Sequence, residues 1–282
     1  MQNRQHLLII DPQNDFCDLP QSYLPQIGNG EVFAPSLPVT GAHEDMLRIG
    51  RLIDTLGSQL DAITVTLDSH HVLDIAHPSF WCTHNGDAVT PFTEITLQQV
   101  REGVYQTRSP QAQARAEEYL AQLEAAGRYR LMIWPVHCEI GSWGHNVHTE
   151  VRNAYNRWEQ AQQKVVAKVY KGSNPWTEHY SAMMAEVPDQ TDTHTQLNRE
   201  LLEALQAYDT VLICGEASSH CVKASTEHIV AHWDPAKLSQ LVLLTDCMSP
   251  VPGFEVQAQS FIEEMRSKGL RISTATEMMS SL

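Results

Sequence analysis

The amino-acid sequence predicts a doubly wound, three-layer α/β/α fold on a mainly parallel sheet of about six strands. Three observations predict it. Short apolar runs that end on an acid or a glycine, such as Leu7–Ile10 before Asp11 and Val211–Cys214 before Gly215, read as strands buried on both faces. Segments with apolar residues at helical spacing alternate with these runs. The 282 residues, 42% apolar and 19% charged, show no internal repeat, low-complexity tract or composition break. They read as one elaborated domain over 1–282 with ample core.

The elements follow in order. Strand one, His6–Ile10, leads into a loop with Pro20, Pro25, Gly28 and Gly30. A helix from His43 presents Met46, Ile49, Ile53 and Leu56 on one face and stops at Gly57. Ala62–Leu67 is strand two, ended by Asp68. Residues 82–128 exceed a usual connection and read as an insertion. It starts irregularly and closes in a helix from Ser109, an N-cap with Pro110 in the first turn, to Ala126 before Gly127. The apolar face of that helix, Ala116, Tyr119, Leu120 and Leu123, either covers a site or builds a subunit contact, and a homo-oligomer is expected. Strand three is Arg130–Trp134, followed by a helix over 147–162 and strand four over 165–170. An elaborated loop over 172–193 and a helix over 195–207 lead to strand five. A helix from Cys221 to His232, strand six over 241–245 and a helix over 254–268 complete the pattern, with Arg271–Ser273 as a short extra pairing.

Charge and cysteine usage exclude several classes. With 34 acidic against 19 basic residues the net charge is −15, which repels nucleic acid and anionic membranes and suits a small neutral or cationic partner. The six cysteines are widely spread without a C-x-x-C pair, as expected of reduced thiols in a cytoplasmic protein. The N-terminal residues show no signal-peptide pattern, and no apolar stretch approaches the ~20 residues of a membrane span.

Chemistry-bearing residues gather where the predicted strands end: Asp11, Asp68-Ser-His70, Trp134-Pro-Val-His137, Lys171 and the turn Gly215–Cys221. The carboxyl ends of parallel strands share one edge, where open α/β folds place their sites. Cys221 opens a helix, so unpaired N–H groups and the helix dipole favour a thiolate and an adjoining oxyanion. A buried structural cysteine is the alternative. Lys171 and Asp11 would add a cation that depresses the thiol pKa and a carboxylate that moves its proton. Asp68, His70, His77 and His137 form a second group with the chemistry of a zinc-type site.

These segments resemble the nicotinamidases of the isochorismatase-like cysteine hydrolase superfamily. Asp11-Pro-Gln-Asn-Asp-Phe-Cys17 is similar to the first motif, and Ser36-Leu-Pro-Val-Thr-Gly-Ala42 to the segment before the first helix. Asp68-Ser-His70 with His77-Pro-Ser-Phe80 resembles the metal loop, and Trp134-Pro-Val-His-Cys138 supplies the remaining metal histidine. Tyr170-Lys171-Gly172 and Gly215-Glu-Ala-Ser-Ser-His-Cys221 resemble the lysine and nucleophile motifs. The matches cover most of the chain apart from the insertion.

The resemblance implies an isochorismatase-like hydrolase fold and hydrolysis of nicotinamide to nicotinate and ammonia through a thioester, as in pyridine nucleotide salvage. Asp11, Lys171 and Cys221 would be catalytic, and the backbone N–H groups of Ala217 and Cys221 would hold the oxyanion beside a cis Glu216–Ala217 peptide. Phe16 and Trp134 would wall the substrate ring. Asp68, His70 and His137 would bind a divalent ion, zinc or else iron or manganese, with His77 as a fourth ligand found in some members. The chain departs from the family at the insertion, at the loop around 176–181, and at Ser218–Ser219, where relatives often carry a Thr-Asp or similar pair. The rival readings are another amide or carbamoyl/ureido hydrolase of the superfamily and a non-catalytic binding protein on this fold.

Overall fold

A computed structural model describes residues 3–26, 28 and 32–280. In chain order they form β1 (Gln5–Ile10), α1 (Ala42–Leu56), β2 (Leu60–Asp68), β3 (Trp81–Thr83), β4 (Thr93–Ile95), α2 (Leu97–Arg101), β5 (Tyr105–Thr107), α3 (Gln113–Ala126) and β6 (Leu131–Ile133). There follow α4 (Thr149–Gln162), β7 (Ala167–Lys171), α5 (Arg199–Gln206), β8 (Thr210–Gly215), α6 (Cys221–Ala231), β9 (Leu241–Leu244), α7 (Glu255–Lys268), β10 (Arg271–Ser273) and α8 (Ala275–Ser280).

The main sheet is six-stranded in the order β10-β9-β8-β1-β2-β7, and every pair in it is parallel. The apolar runs behave as expected of strands covered on both faces: Leu7–Ile10 and Val211–Cys214 are fully buried. Helix α1 packs against α4 and α8, with Met46, Ile49, Leu52 and Ile53 in the core. Register aligns the strand exits, since Ile10 lies opposite Gly215 and Asp68 opposite Lys171. The exits of β8, β1, β2 and β7 therefore stand side by side.

One strand assignment is corrected. The segment expected as strand three lies outside the sheet: β6 is three residues long and pairs antiparallel with β4 of the insertion. Two local bonds hold it there, Phe92 N–H to Ile133 O at 2.5 Å and Trp134 N–H to Ala76 O at 2.8 Å. The sixth place in the sheet goes to β10, which read only as a short extra pairing. The insertion supports the site region directly: α3 buries Ala116, Tyr119, Leu120 and Leu123, and the Tyr119 hydroxyl accepts the Glu178 N–H at 3.3 Å. No helix of the described residues is long and apolar enough to cross a membrane.

Candidate active site

At the exit of β1 the chain turns sharply, with Asp11 in the left-handed region at φ 43°. Such a backbone costs a non-glycine residue ~1–3 kcal/mol and persists only where its surroundings impose it. Here they do. The Gln13 amide bonds both faces of the Asp68 peptide, donating to its carbonyl at 2.8 Å and accepting its N–H at 2.7 Å. The Asp15 carboxylate accepts Cys138 N–H at 2.7 Å and Ser36 N–H at 3.0 Å. The first motif thus fastens the exits of β1 and β2 to the segment carrying His137.

Asp11, Lys171 and Cys221 meet, as the sequence led us to expect, and all three are nearly inaccessible to solvent. Lys171 Nζ donates to Asp68 Oδ1 at 2.9 Å, to the His179 carbonyl at 3.0 Å and to Cys221 Sγ at 3.6 Å. Asp11 Oδ2 lies 3.0 Å from the same nitrogen and forms an ion pair with it. Asp11 Oδ1 is fixed by the Thr66 hydroxyl at 2.5 Å. The Asp11 carboxylate thus stands against the same ammonium that contacts the thiol.

The electrostatics correct one expectation. Burial raises the Cys221 thiol well above its ordinary pKa; Lys171 opposes this, while Asp11 and Asp68 reinforce it. Burial disfavours the Lys171 ammonium too, but Asp11 and Asp68 hold its pKa well above normal. The ammonium is thus shared by two carboxylates, and burial favours the protonated sulfur. Asp11 itself is raised, by burial against the pull of Lys171.

The backbone around the nucleophile has the form the resemblance implied. The Glu216–Ala217 peptide is cis. Among the described residues neither Ala217 N–H nor Cys221 N–H is taken by another acceptor, so both are free to bind an oxyanion. Gly215, at φ 113°, lets the turn press against β1, where a Cβ would lie 2.0 Å from Ile10 O.

Beside Lys171 stands the second group. His70, His77 and His137 are buried and offer nitrogens all within 4.8 Å of one another, a cluster able to hold a metal ion. Each Nδ1 is engaged: His70 with Asp74 Oδ2 at 3.1 Å, His77 with His71 O at 3.1 Å, His137 with Pro135 O at 2.8 Å. These partners fix the rings and leave every Nε2 as a donor, the usual support of metal-binding histidines. Asp68 Oδ2 lies 3.1 Å from His70 Nε2 and 3.4 Å from His137 Nε2. Donors around a tetrahedral zinc with bonds of ~2.1 Å stand ~3.4 Å apart, so this set fits a divalent ion. His77 approaches His137 on its other side, with Nε2 3.4 Å from Nδ1. Although burial opposes it, His70 and Lys171 hold the Asp68 carboxyl well below its usual range.

A narrow cavity of about 30 Å³ joins the two groups. Phe16, Leu37, Trp134, Tyr180 and Val251 give it apolar walls. Asp68, His137 and Glu178 contribute polar groups to its lining, as do Ala217, His220 and Cys221 of the nucleophile turn. Phe16 and Trp134 thus line it as expected. Several contributors escaped the sequence reading. Thr66 was signalled by the polar alternation Thr64, Thr66, Asp68 in an otherwise apolar strand. Glu178, with Oε2 unpartnered and its pKa raised by burial to about 7, sits in a loop without periodicity.

The sheet order, the crossing helices and the strand-end site define the class: this is the isochorismatase-like hydrolase fold. No protein-family model matches the chain, and no curated protein sequence matches it. Among solved structures, a nicotinamidase/pyrazinamidase of Acinetobacter baumannii is 19% identical over 99% of both chains, with a TM-score of 0.60. The yeast nicotinamidase bound to the inhibitor nicotinaldehyde is 22% identical over 96% of this chain and 99% of its own, also with a TM-score of 0.60. A Pyrococcus horikoshii pyrazinamidase in complex with zinc is 18% identical over 96% and 99%, with a TM-score of 0.51.

Proposed function

We propose that this chain is a metal-assisted cysteine amidohydrolase that converts nicotinamide to nicotinate and ammonia through a thioester on Cys221. The observation that carries the reading is the meeting of Asp11, Lys171 and Cys221, with the ammonium touching both the acid and the thiol, at one small apolar-walled cavity.

Asp11 takes the Cys221 proton as the sulfur attacks the amide carbonyl, and Ala217 and Cys221 N–H groups receive the oxyanion. Loss of one such donor typically costs ~10²–10³ in rate. Asp11 then gives the proton to departing ammonia and activates the water that opens the thioester. Lys171 opposes the burial that raises Asp11, which favours the carboxylate at the start of the cycle. Phe16 and Trp134 hold the ring. A divalent ion, zinc by analogy with the Pyrococcus structure, would be held by Asp68, His70, His137 and His77 and would supply a Lewis acid for the ring nitrogen. The substrate is a small molecule, the compartment the cytoplasm.

Ammonia release from nicotinamide, pyrazinamide and N-carbamoyl compounds tests the reading. Wild-type protein should turn over the first two, and Cys221→Ala neither. Near-wild-type release by Cys221→Ala would end the mechanism, and release from N-carbamoyl compounds alone would replace the substrate. Chelation should abolish turnover, and added zinc should restore it. Zinc should also raise the melting temperature of stripped wild-type protein but not of His70→Ala.

A further inference from the structure

The nucleophile turn rests on an acid cluster that the mechanism above does not use. Glu216, one residue before Ala217, is fully buried and points away from the cavity lining toward α1 and the segment after β9. Its Oε2 accepts Ser249 N–H at 3.1 Å, while Oε1 has no N–H or hydroxyl donor at all. Ser249 ties it to another buried acid, Asp45 in the first turn of α1, for its N–H donates to Glu216 while its hydroxyl donates to Asp45. Asp45 is already supplied with donors: Arg48 Nη2 at 2.8 Å on Oδ1 and the Ser249 hydroxyl at 2.5 Å on Oδ2. The cation of the network is thus paired to Asp45 and not to Glu216. A buried Oε1 with no donor, in a cluster shared with a second acid, is satisfied only by carrying a proton and donating it. With Asp45 fed by a guanidinium and a hydroxyl, that proton belongs on Glu216.

We propose that Glu216 is a positioning residue, a neutral carboxylic acid that donates to Asp45, accepts from Ser249 N–H, and so sets the Ala217 N–H where the oxyanion forms. The surroundings agree: burial first, then Asp45 and Asp18, raise the Glu216 pKa far above the carboxylate range. Cys17 and Cys214, also buried near it, are themselves pushed up and bring no charge. The cluster has a mechanical reach. Gly215 N–H bonds Cys247 O at 2.9 Å, Ser218 N–H bonds Ser249 O at 2.9 Å, and Val251 N–H bonds Ser219 Oγ at 3.0 Å. The Glu216 side chain is the strut of this set that also reaches α1. Gly41, just before α1, has no room for a Cβ beside Ser249 Oγ, 2.8 Å away, so the packing around the strut is tight.

The inference rests on the amidohydrolase reading for its rate effect but not for its protonation state, and the test separates the two. Glu216→Gln preserves a neutral donor–acceptor head of the same shape; Glu216→Ala removes it. Turnover of nicotinamide should fall ~10²-fold in Glu216→Ala with KM little changed, because an oxyanion donor acts only in the transition state. Glu216→Gln should recover turnover to within a few-fold of wild type. Independently of any substrate, infrared spectra at neutral pH should show a protonated-carboxyl band in wild-type protein that Glu216→Gln lacks. Equal impairment of Gln and Ala variants, unchanged kcat in Glu216→Ala, or absence of that band would overturn the proposal. Wild-type protein inactive on every amide would sink the functional reading, while the infrared comparison would still decide the proton's place.

Discussion

Lys171 Nζ carries three hydrogens and faces four acceptors. Asp68, the His179 carbonyl and Cys221 lie within hydrogen-bonding reach, and Asp11 pairs with it at 3.0 Å. Removing the ammonium would strand two carboxylates in a dry interior. Breaking a buried pair in this way typically costs ~3–5 kcal/mol. Lys171→Met should therefore lose about that much stability in urea unfolding, besides its turnover. A variant as stable as wild type would show that one of the two acids carries a proton and needs no cation. At this scale the sequence was informative where chemistry is unusual for its position: Asp11, Asp68 and Lys171 are charged residues at the ends of apolar runs. It misjudged the thiol, because a motif displays the helix end beside Cys221 but not the two carboxylates that already claim the lysine. The roles of Glu178 and Glu216 were not legible, the first because it sits in a loop without periodicity and the second because its partner Ser249 lies in a distant segment.

Among the elements, the contact between the β8 exit and β1 is the tightest constraint on the site. Gly215 combines φ 113° with an approach in which a Cβ would stand 2.0 Å from the Ile10 carbonyl. The left-handed backbone alone costs other residues ~1–3 kcal/mol, and the clash adds to it. Gly215→Ala should lose more than ~3 kcal/mol in denaturant titration, with turnover lost even where protein remains folded. Wild-type stability would mean that β1 and β8 separate more easily than their register implies. Long, uninterrupted apolar runs such as β1 and β8 were legible as central strands because both faces are covered. Strand membership was not legible for β6 and β10. Both are three residues long, and which one joins the sheet depends on β4, a partner supplied by the insertion. The insertion was visible by length, whereas its service to the site, through Tyr119 and Glu178, needed coordinates.

For the whole molecule, the net charge of −15 sets two responses to salt. Surface ion pairs such as Arg157–Asp54, 2.7 Å apart but about half exposed on both sides, contribute little and weaken on screening. The excess acids repel one another more strongly in the compact state than in the expanded chain. Raising ionic strength from 0.01 to 0.15 M shortens the screening length from ~30 to ~8 Å. The melting temperature should rise, and each ~1 kcal/mol gained would appear as ~2–4 °C; a fall would mean that the ion pairs dominate. The same field bears on function. It draws in cations and ignores neutral molecules, so kcat/KM for a cationic substrate would drop steeply over this salt range. Nicotinamide is uncharged at neutral pH, and its kcat/KM should stay flat while stability climbs. A steep drop would point to a positively charged natural substrate in the same cavity.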